Sequence, residues 1–342
     1  MTTATSPGDD NRQRFVLGTD HVESWFVRAN HPTMPRALWL KATVLTRTDG
    51  TTLSQAWFSV FDGDRTEAFC SDVPLGESTF ESNGSSLAAQ VGPLRLQLAE
   101  DHGASAGELT SGAGRVRWDL RFDRLPGVLG RPMCLLPTRR LLDAPFPRNK
   151  LVTPLPVATF TGHVTWNDET WDIARWIGMQ GHNWGAAHSP EYAWGQCVFA
   201  DGAGRGPTAV MEGASGRIEL GRRVSPLMSM LVVRRGEDEY RFDRVIDLWR
   251  QRPVLDFPRW ALRMKGADGE AELEMRGRAS SMVCLTYQNP ARPPSYCLNS
   301  KTANVSLAVT PRRGGAFTIQ SEYGGALEFL RPRPEPAVQP VV

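Results

Sequence analysis

The sequence lacks the signatures of several common enzyme and binding classes. No two cysteines stand at Cys-x-x-Cys spacing, which argues against the usual closed zinc sites and thioredoxin-like dithiols. No glycine-rich loop opens a helix, so neither a phosphate-binding loop nor a dinucleotide fingerprint is predicted. No run of about 18 apolar residues occurs, so we expect no membrane-spanning helix.

The chain also has little excess of either charge. The formal net charge is +2 over 342 residues, which is too small to indicate binding to nucleic acid or to an acidic membrane surface. The five cysteines are odd in number, and the opening residues have no apolar core of a secretory signal. We therefore expect a cytoplasmic protein with reduced thiols, and transient contact with a membrane surface is left open. The sequence leaves the oligomeric state open.

What the chain does have is a pattern of short apolar alternations. Hydrophobic residues make up 41% of the sequence, enough for a substantial core. Period-two alternation, typical of half-buried antiparallel strands, is clearest at Leu94, Leu96 and Leu98, and at Val116, Trp118, Leu120 and Phe122. Roughly sixteen strands are indicated, about twice the eight of a small closed barrel. The pattern predicts an all-β protein of two tandem antiparallel barrels with few short helices.

A proline-rich stretch marks the expected boundary between the barrels. Residues 143–158 contain four prolines, and proline lacks the N–H that a central strand needs. We predict a first barrel over 15–158 and a second over 159–332, with disordered ends at 1–14 and 333–342. Residues 76–90 are the best helix candidate, and 136–143 are expected to hold a short turn.

Residues 175–197, RWIGMQGHNWGAAHSPEYAWGQC, form the most informative segment. Large flat rings and neutral hydrogen-bonding groups are concentrated there, a combination suited to a pocket for a mainly apolar molecule. We predict that the ligand contacts Trp176, Gln180, Trp184, His188, Tyr192 and Trp194, together with Trp57 from an earlier strand. The alternative for the tryptophans is ordinary barrel core, because aromatic residues dominate β cores.

Two neighbouring residues, His182 and Asn183, are the candidates for polarising a ligand oxygen. Residues two apart on a strand point the same way, which places Gln180, His182 and Trp184 on one face and Asn183 on the other. The competing interpretation is architectural. In it, both side chains tie down a strand junction by bonding backbone carbonyls, as buried polar groups must.

Glu212 is the preferred candidate acid. It follows two apolar residues in an expected strand, and a carboxyl among apolar neighbours has a raised pKa suited to proton donation. The simpler alternative is a surface charge or a salt bridge to one of the many arginines.

We predict neither a metal nor a cofactor. His182 and His188 stand six residues apart, and their spacing matches no standard metal motif.

The run GMQGHNWG, followed by His188, Tyr192 and Trp194, resembles the central motif of the double-calycin, lipocalin-like superfamily. That group includes carotenoid 1,2-hydratases (hydroxyneurosporene synthases), tocopherol cyclases, some fungal Diels–Alderases and AttH-like proteins. Weaker similarities lie at ESWFVRANHP, RALWLKATVL, AWFSVFDGD, PFPRNKLVTPLPVATFTGHV and SYCLNSK. The resemblance implies two tandem calycin barrels around a hydrophobic cavity. It carries over no catalytic residue, because none of the family's acids aligns with a position here.

These features predict an enzyme that binds an apolar terpenoid, polyene or polyketide-like lipid within or between the barrels. It would catalyse a cofactor-independent hydration, cyclisation or isomerisation, with His182, Asn183 and Glu212 as the chemical groups. The alternative is a non-catalytic lipid or terpenoid carrier that uses the same pocket. A third possibility is that the His182 motif only joins the barrels and no ligand exists.

Overall fold

Two large antiparallel sheets make up the protein in the computed structural model, which describes residues 9–112, 114–200, 206–220, 223–248, 251–290 and 292–341. The predicted all-β class with two tandem antiparallel barrels is confirmed. Helix is scarce among these residues: there is one short α-helix, α1 (Val245–Leu248), and there are 3-10 segments that include Leu75–Glu77, Val128–Gly130, Arg139–Leu142 and Ala279–Ser281.

The first sheet has eleven strands. They are β1 (Val22–Asn30), β2 (Arg36–Thr46), β3 (Thr52–Asp62), β4 (Arg65–Pro74), β5 (Ser78–Asn83), β6 (Ser86–Val91), β7 (Leu94–Leu98), β8 (His102–Ser111), β9 (Gly114–Arg124), β10 (Asn149–Trp166) and β11 (Glu169–Gly185). The spatial order is β4-β3-β2-β1-β11-β10-β9-β8-β7-β6-β5. The sheet curls until β4 packs against β8, which nearly closes a barrel.

The second sheet repeats this plan. Its strands are β12 (Tyr192–Ala200), β13 (Pro207–Gly216), β16 (Met228–Arg235), β17 (Asp238–Phe242), β18 (Val254–Asp256), β19 (Arg259–Gly266), β20 (Gly269–Arg276), β21 (Val283–Asn289), β22 (Arg292–Pro311) and β23 (Phe317–Arg331). A separate small ribbon pairs β14 (Glu219–Leu220) with β15 (Arg223–Val224). The edge strand β17 comes back against β19, so this sheet also curls toward closure.

Strand alternation sorts the apolar side chains into three layers. On β2, Leu38 and Leu40 point into the core of the first barrel, whereas Ala37 and Trp39 point out of it toward the second barrel. The same division recurs on β23 of the second barrel, where Leu327 points inward and Ala326 and Leu330 face the first. The central strands are therefore buried on both faces, and a third apolar layer lies between two packed barrel cores.

Buried polar groups also tie the barrels together. The guanidinium of Arg28 donates to Gln196 and to the carbonyl oxygen of Gly324. Gln196 Nε2 in turn donates to the carbonyl oxygen of Pro156, at 2.9 Å. Burial lowers the pKa of Arg28 to about 10, but its hydrogen bonds satisfy most of the donors that this burial removes from water.

The change from one sheet to the other falls between Gly185 and Tyr192, whereas the sequence placed the barrel boundary at 158/159. That predicted boundary lies inside β10. Pro154 and Pro156 do not end the strand because the pairing with β11 shifts register on either side of Leu155. A proline in such an irregularity removes no required ladder bond.

Two further local predictions differ from the structure. Residues 76–90 are mostly the hairpin β5–β6, in which Leu87, Ala89 and Val91 are buried at every second position. That is the period of a strand, and the helix prediction was wrong. Alternation with Tyr240 and Phe242 predicts that Val245 and Ile246 extend a strand, but these two residues begin α1.

The chain ends are packed against the barrels where the structure describes them. Asn11 donates to the carbonyl oxygen of Ser85, and its own carbonyl oxygen accepts from Trp25 Nε1. At the other end, Val338 is buried and Pro340 pairs with Cys284. The sequence predicted disorder over 1–14 and 333–342. Polar anchoring and one apolar contact hold 9–14 and 333–341 in place, whereas 1–8 and 342 lie outside the described residues.

Within the described ranges, no helix has the length and apolar character needed to cross a lipid bilayer.

Candidate functional site

A cavity of about 500 Å³ lies in the layer between the two barrels. Both sheets line it, together with the connection that precedes β10. Its apolar wall is formed by Phe26, Leu135, Leu136, Leu141, Phe146, Ile218, Met228, Met230, Val245 and Leu248. The volume and the apolar wall match those of small-molecule binding sites.

The cavity runs from an open rim to a closed floor. At the rim, Val245 is 62% exposed and Phe146 is 45% exposed. At the floor, Lys41, Tyr287 and Glu328 are all buried. An apolar molecule that enters the cavity therefore contacts apolar residues at the rim and ionisable groups at the floor.

Glu328 and Lys301 form a buried ion pair at the floor. Lys301 Nζ lies 2.6 Å from Glu328 Oε1, which also accepts from Asn299 Nδ2 at 3.2 Å. Cys297 Sγ is 3.7 Å from the second carboxylate oxygen. Burial lowers the pKa of Lys301, an effect that the charge of Glu328 opposes. Of this pair, Glu328 is the member that lines the cavity.

Lys41 lies at the same floor, and no acidic side chain among the described residues forms an ion pair with it. Its Nζ is 3.8 Å from the ring centre of Tyr287, 4.8 Å from that of Trp57 and 5.3 Å from that of Trp39. Burial lowers the pKa of this amine to about 8. Perturbed ionisable groups that converge on a cavity mark a candidate functional site.

An aromatic pair, His188 and Tyr287, extends the floor. Their rings stack at 5.1 Å, and both line the cavity. Burial lowers the pKa of His188 to about 3, so the imidazole is neutral at physiological pH. The pKa of the Tyr287 hydroxyl is raised well above its usual range, mainly by burial and then by the nearby Cys297 and Glu328.

Four of the ten predicted site residues line this cavity: Asn183, His188, Tyr192 and Trp194. The segment 175–197 therefore does contribute to the cavity. On β11, however, the contributing face is that of Asn183 rather than the face of Gln180, His182 and Trp184.

His182 lies inside the first barrel, away from the cavity. Its Nδ1 is 2.7 Å from the carbonyl oxygen of Asp10, and its Nε2 is 2.9 Å from Glu23 Oε1. The imidazole stacks on Trp25 with ring centres 4.7 Å apart. With both nitrogens bonded and no exposed surface, His182 has the geometry of the architectural interpretation.

The other predicted ligand contacts are distributed around the first barrel. Gln180 Nε2 donates to Asn11 Oδ1 at 3.0 Å. Trp176 belongs to the barrel core and packs on Trp171. Trp184 lies under Arg14 beside a second, more polar cavity. Trp57 is behind the cavity floor, against Lys41 and Tyr287.

Glu212 faces the layer between the barrels but stops short of the cavity wall. Both carboxyl oxygens lie 2.9 Å from Thr153 Oγ1, and Trp194 Nε1 donates to Oε1 at 3.1 Å. Burial raises the pKa of Glu212 to about 7, the direction expected from its sequence neighbours. The group thus holds Trp194, which itself lines the cavity, in place.

Sequence reasoning missed the floor residues Lys41, Lys301, Glu328 and Tyr287. A signal was present, because Lys41 interrupts the apolar run LWLKATV and Lys301 ends the segment SYCLNSK. A lysine within an otherwise buried strand is unusual enough to indicate a functional or paired amine.

Among the side chains that the structure describes, no group of three or more His, Cys, Asp or Glu residues is arranged to hold a metal ion.

Comparison with known proteins supports the fold. No family model matches the chain, and no curated protein matches it by sequence. A solved structure, that of a candidate AttH from Nitrosomonas europaea, superposes with a TM-score of 0.51 at 11% identity, covering 96% of this chain and 99% of that chain. The likeness covers both barrels and shows a shared architecture.

Proposed function

We propose that this protein binds an elongated, mainly apolar small molecule between its barrels and moves a proton on it without a redox cofactor. Terpenoids, polyenes and polyketide-like lipids are the matching ligand classes. The observation that carries the proposal is the cavity itself, which has an apolar wall and a floor where Glu328, Lys41 and Tyr287 converge.

The wall accounts for binding. Phe26 from the first sheet, Met230 from the second sheet and Leu135 from the connection before β10 all offer apolar surface to the cavity. Removing apolar ligand surface from water is worth roughly 25 cal/mol per Å². Methionine side chains such as Met228 and Met230 adapt to irregular shapes, which suits a flexible hydrocarbon chain.

The floor accounts for proton transfer. Glu328 is held by Lys301 Nζ and Asn299 Nδ2 while it faces the cavity. Charge-assisted hydrogen bonds of this kind hold the carboxyl group in a fixed orientation. Glu328 is therefore suited to act as a base that removes a proton from a ligand carbon and returns it elsewhere. Among hydration, cyclisation and isomerisation, this chemistry favours isomerisation or a cyclisation that begins with deprotonation.

A non-catalytic carrier is the second candidate. The observation that favours it is the Lys301–Glu328 ion pair, because such a pair also serves to anchor one polar end of a passive ligand. Substitution of Glu328 separates the two candidates.

The test compares Glu328→Gln with the wild type for ligand binding and for turnover. Lipid extract of the native host and a panel of polyene and terpenoid compounds are offered, and bound species are identified by native mass spectrometry. An enzyme keeps binding while turnover falls by about 100-fold or more. A carrier shows no turnover in either form. Protein that binds none of these compounds contradicts the proposal.

A matched control keeps that result interpretable. Glu272 lies on β20 with 64% of its side chain exposed, so Glu272→Gln removes one carboxylate far from the cavity. It should leave both binding and turnover unchanged.

A further inference from the structure

Lysine is rare in this chain and concentrated at the cavity. Only four of the 39 basic residues are lysines, and the rest are arginines. Lys41 and Lys150 line the cavity, and Lys301 bonds its floor residue Glu328. The fourth, Lys265, is 79% exposed on β19. Arginine is the better residue for holding a carboxylate, whereas lysine can lose its proton and act as a nucleophile.

The two cavity-lining lysines and Lys301 behind them differ in what they contact. Lys301 is occupied by Glu328, and Lys150 donates to the carbonyl oxygen of Pro147. Among the residues that the structure describes, no oxygen accepts a hydrogen bond from Lys41 Nζ. Lys41 is thus the amine left available to a ligand.

The surroundings of Lys41 are aromatic. Trp39, Trp57 and Tyr287 present their rings within 5.3 Å of Nζ. An ammonium has three N–H donors. Aromatic rings attract its charge but offer no conventional hydrogen-bond acceptors, so these donors are poorly satisfied. A protonated imine has a single N–H and a delocalised charge, so this environment suits it better.

We infer that Lys41 Nζ forms an imine with an aldehyde or ketone group of the apolar ligand. The inference rests on the proposed function, since the same cavity must first bind the molecule. It narrows the ligand to an apolar carbonyl compound.

The step balances without an oxidant or reductant. The lone pair of neutral Nζ attacks the carbonyl carbon, and the C=O π electrons move to oxygen, which takes up a proton. The hydroxyl of the resulting carbinolamine then takes a proton from Nζ and leaves as water, and a C=N bond forms. Hydrolysis reverses each step and returns the free lysine and carbonyl compound.

Two neighbours support this chemistry. Burial is the main cause that favours the neutral, nucleophilic form of Lys41; the positive charge of Lys301 adds to it, and the charge of Glu328 opposes it. A second cation acts in the same way in other amine nucleophiles. Glu328 faces the same cavity. A protonated imine acidifies the adjacent C–H bonds, so Glu328 would then remove a proton from a carbon that is already activated.

Reductive trapping tests the inference directly. The full chain is incubated with decanal and sodium cyanoborohydride, and the alkylated lysine is located by peptide mass spectrometry. Decan-1-ol, measured by native mass spectrometry, reports on apolar binding without imine chemistry. We expect one decyl group at Lys41, attached at least about 100-fold faster at pH 7 than at Lys265, because more of the Lys41 amine is neutral.

Variants make the assignment specific. Lys41→Met and Lys41→Arg should both lose the trapped product while still binding decan-1-ol, and Lys265→Met should keep the product. Lys41→Arg retains the positive charge, so it remains informative if Lys41→Met fails to fold, as monitored by circular dichroism.

The other outcomes separate the two proposals. If decan-1-ol binds but decanal is trapped no faster at Lys41 than at Lys265, the imine inference is overturned and the binding proposal stands. If neither compound binds and nothing is trapped at Lys41, the binding proposal fails and the imine inference fails with it.

Discussion

His182 Nε2 lies 2.9 Å from Glu23 Oε1, and neither side chain is exposed to solvent. This contact joins β11 to β1, and the carbonyl oxygen of Asp10 bonds the other imidazole nitrogen. Glu23 also accepts from the backbone N–H of Arg14. The most conspicuous histidine of the sequence therefore closes one end of the first barrel by fastening the N-terminal segment to it.

The first prediction concerns the pH dependence of this contact. Burial acts to raise the pKa of Glu23, but hydrogen bonds from His182 and His21 outweigh it and lower this pKa to about 2. A lowered carboxyl pKa stabilises the fold above the unfolded-state value, and that contribution is lost as pH falls toward 2. We expect Glu23→Gln to lower the free energy of unfolding at pH 7 on the order of 3 kcal/mol, measured by urea denaturation.

The control for Glu23 is Glu81→Gln, on the exposed side of β5. It should change the unfolding free energy by less than about 0.5 kcal/mol. Equal stability of Glu23→Gln and the wild type between pH 4 and 7 would show that the carboxylate contributes nothing to the fold.

A second prediction concerns Glu212, whose folded-state pKa of about 7 lies above its ordinary value. A raised carboxyl pKa changes the stability of the fold with pH in the direction opposite to that of a lowered one. The folded state holds the proton more tightly, so stability falls as pH rises through 7. Glu212→Gln should thus melt at a higher temperature than the wild type at pH 8 and at nearly the same temperature at pH 5. A variant that is less stable at both pH values would contradict this.

Lys41 gives a third prediction, in which function and stability oppose each other. Its amine has a folded-state pKa of about 8 because of burial. Charging it at pH 7 therefore costs the folded state on the order of 3 kcal/mol relative to a solvated lysine, a cost relieved as pH rises above 8. We expect Lys41→Met to raise the melting temperature at pH 7, whereas Lys265→Met should not. A lower melting temperature for Lys41→Met would show that the aromatic rings fully compensate its burial.

The fourth prediction concerns a substitution that fills the cavity. Ala214 lines it from β13, and Ala214→Phe places a ring in the empty space. We expect the affinity for apolar compounds to fall by on the order of tenfold or more, with little change in melting temperature, because the ring fills a void rather than a packed core. Ala88→Phe, on the exposed face of β6, is the matched control. Unchanged ligand affinity in Ala214→Phe would place the binding site elsewhere.

The fold was predictable from the sequence because alternation is a local signal. Leu94–Leu98 is β7, and the alternation from Val116 to Phe122 lies within β9. The barrel boundary was less predictable. Pro154 and Pro156 break the regular pairing of β10 without ending the strand, and whether a proline falls at a register shift depends on the neighbouring strand.

The candidate site was predictable only in part, for a physical reason. Alternation placed His182 and Asn183 on opposite faces of β11, and the structure does the same. Both faces of that strand are buried, so hydrophobicity could not tell which one looks toward the second barrel. The floor residues Lys41 and Glu328 come from strands far apart in the chain, and only the tertiary fold brings them to one cavity.

The three-layer arrangement has a consequence for how such a protein can change. Each central strand sends one set of side chains into its own barrel and the alternate set toward the layer between the barrels. The outward-facing side chains can therefore be substituted one at a time during evolution, while the inward-facing side chains continue to specify the scaffold. Changes in the lining of the cavity thus become accessible without first destabilising the architecture that presents it.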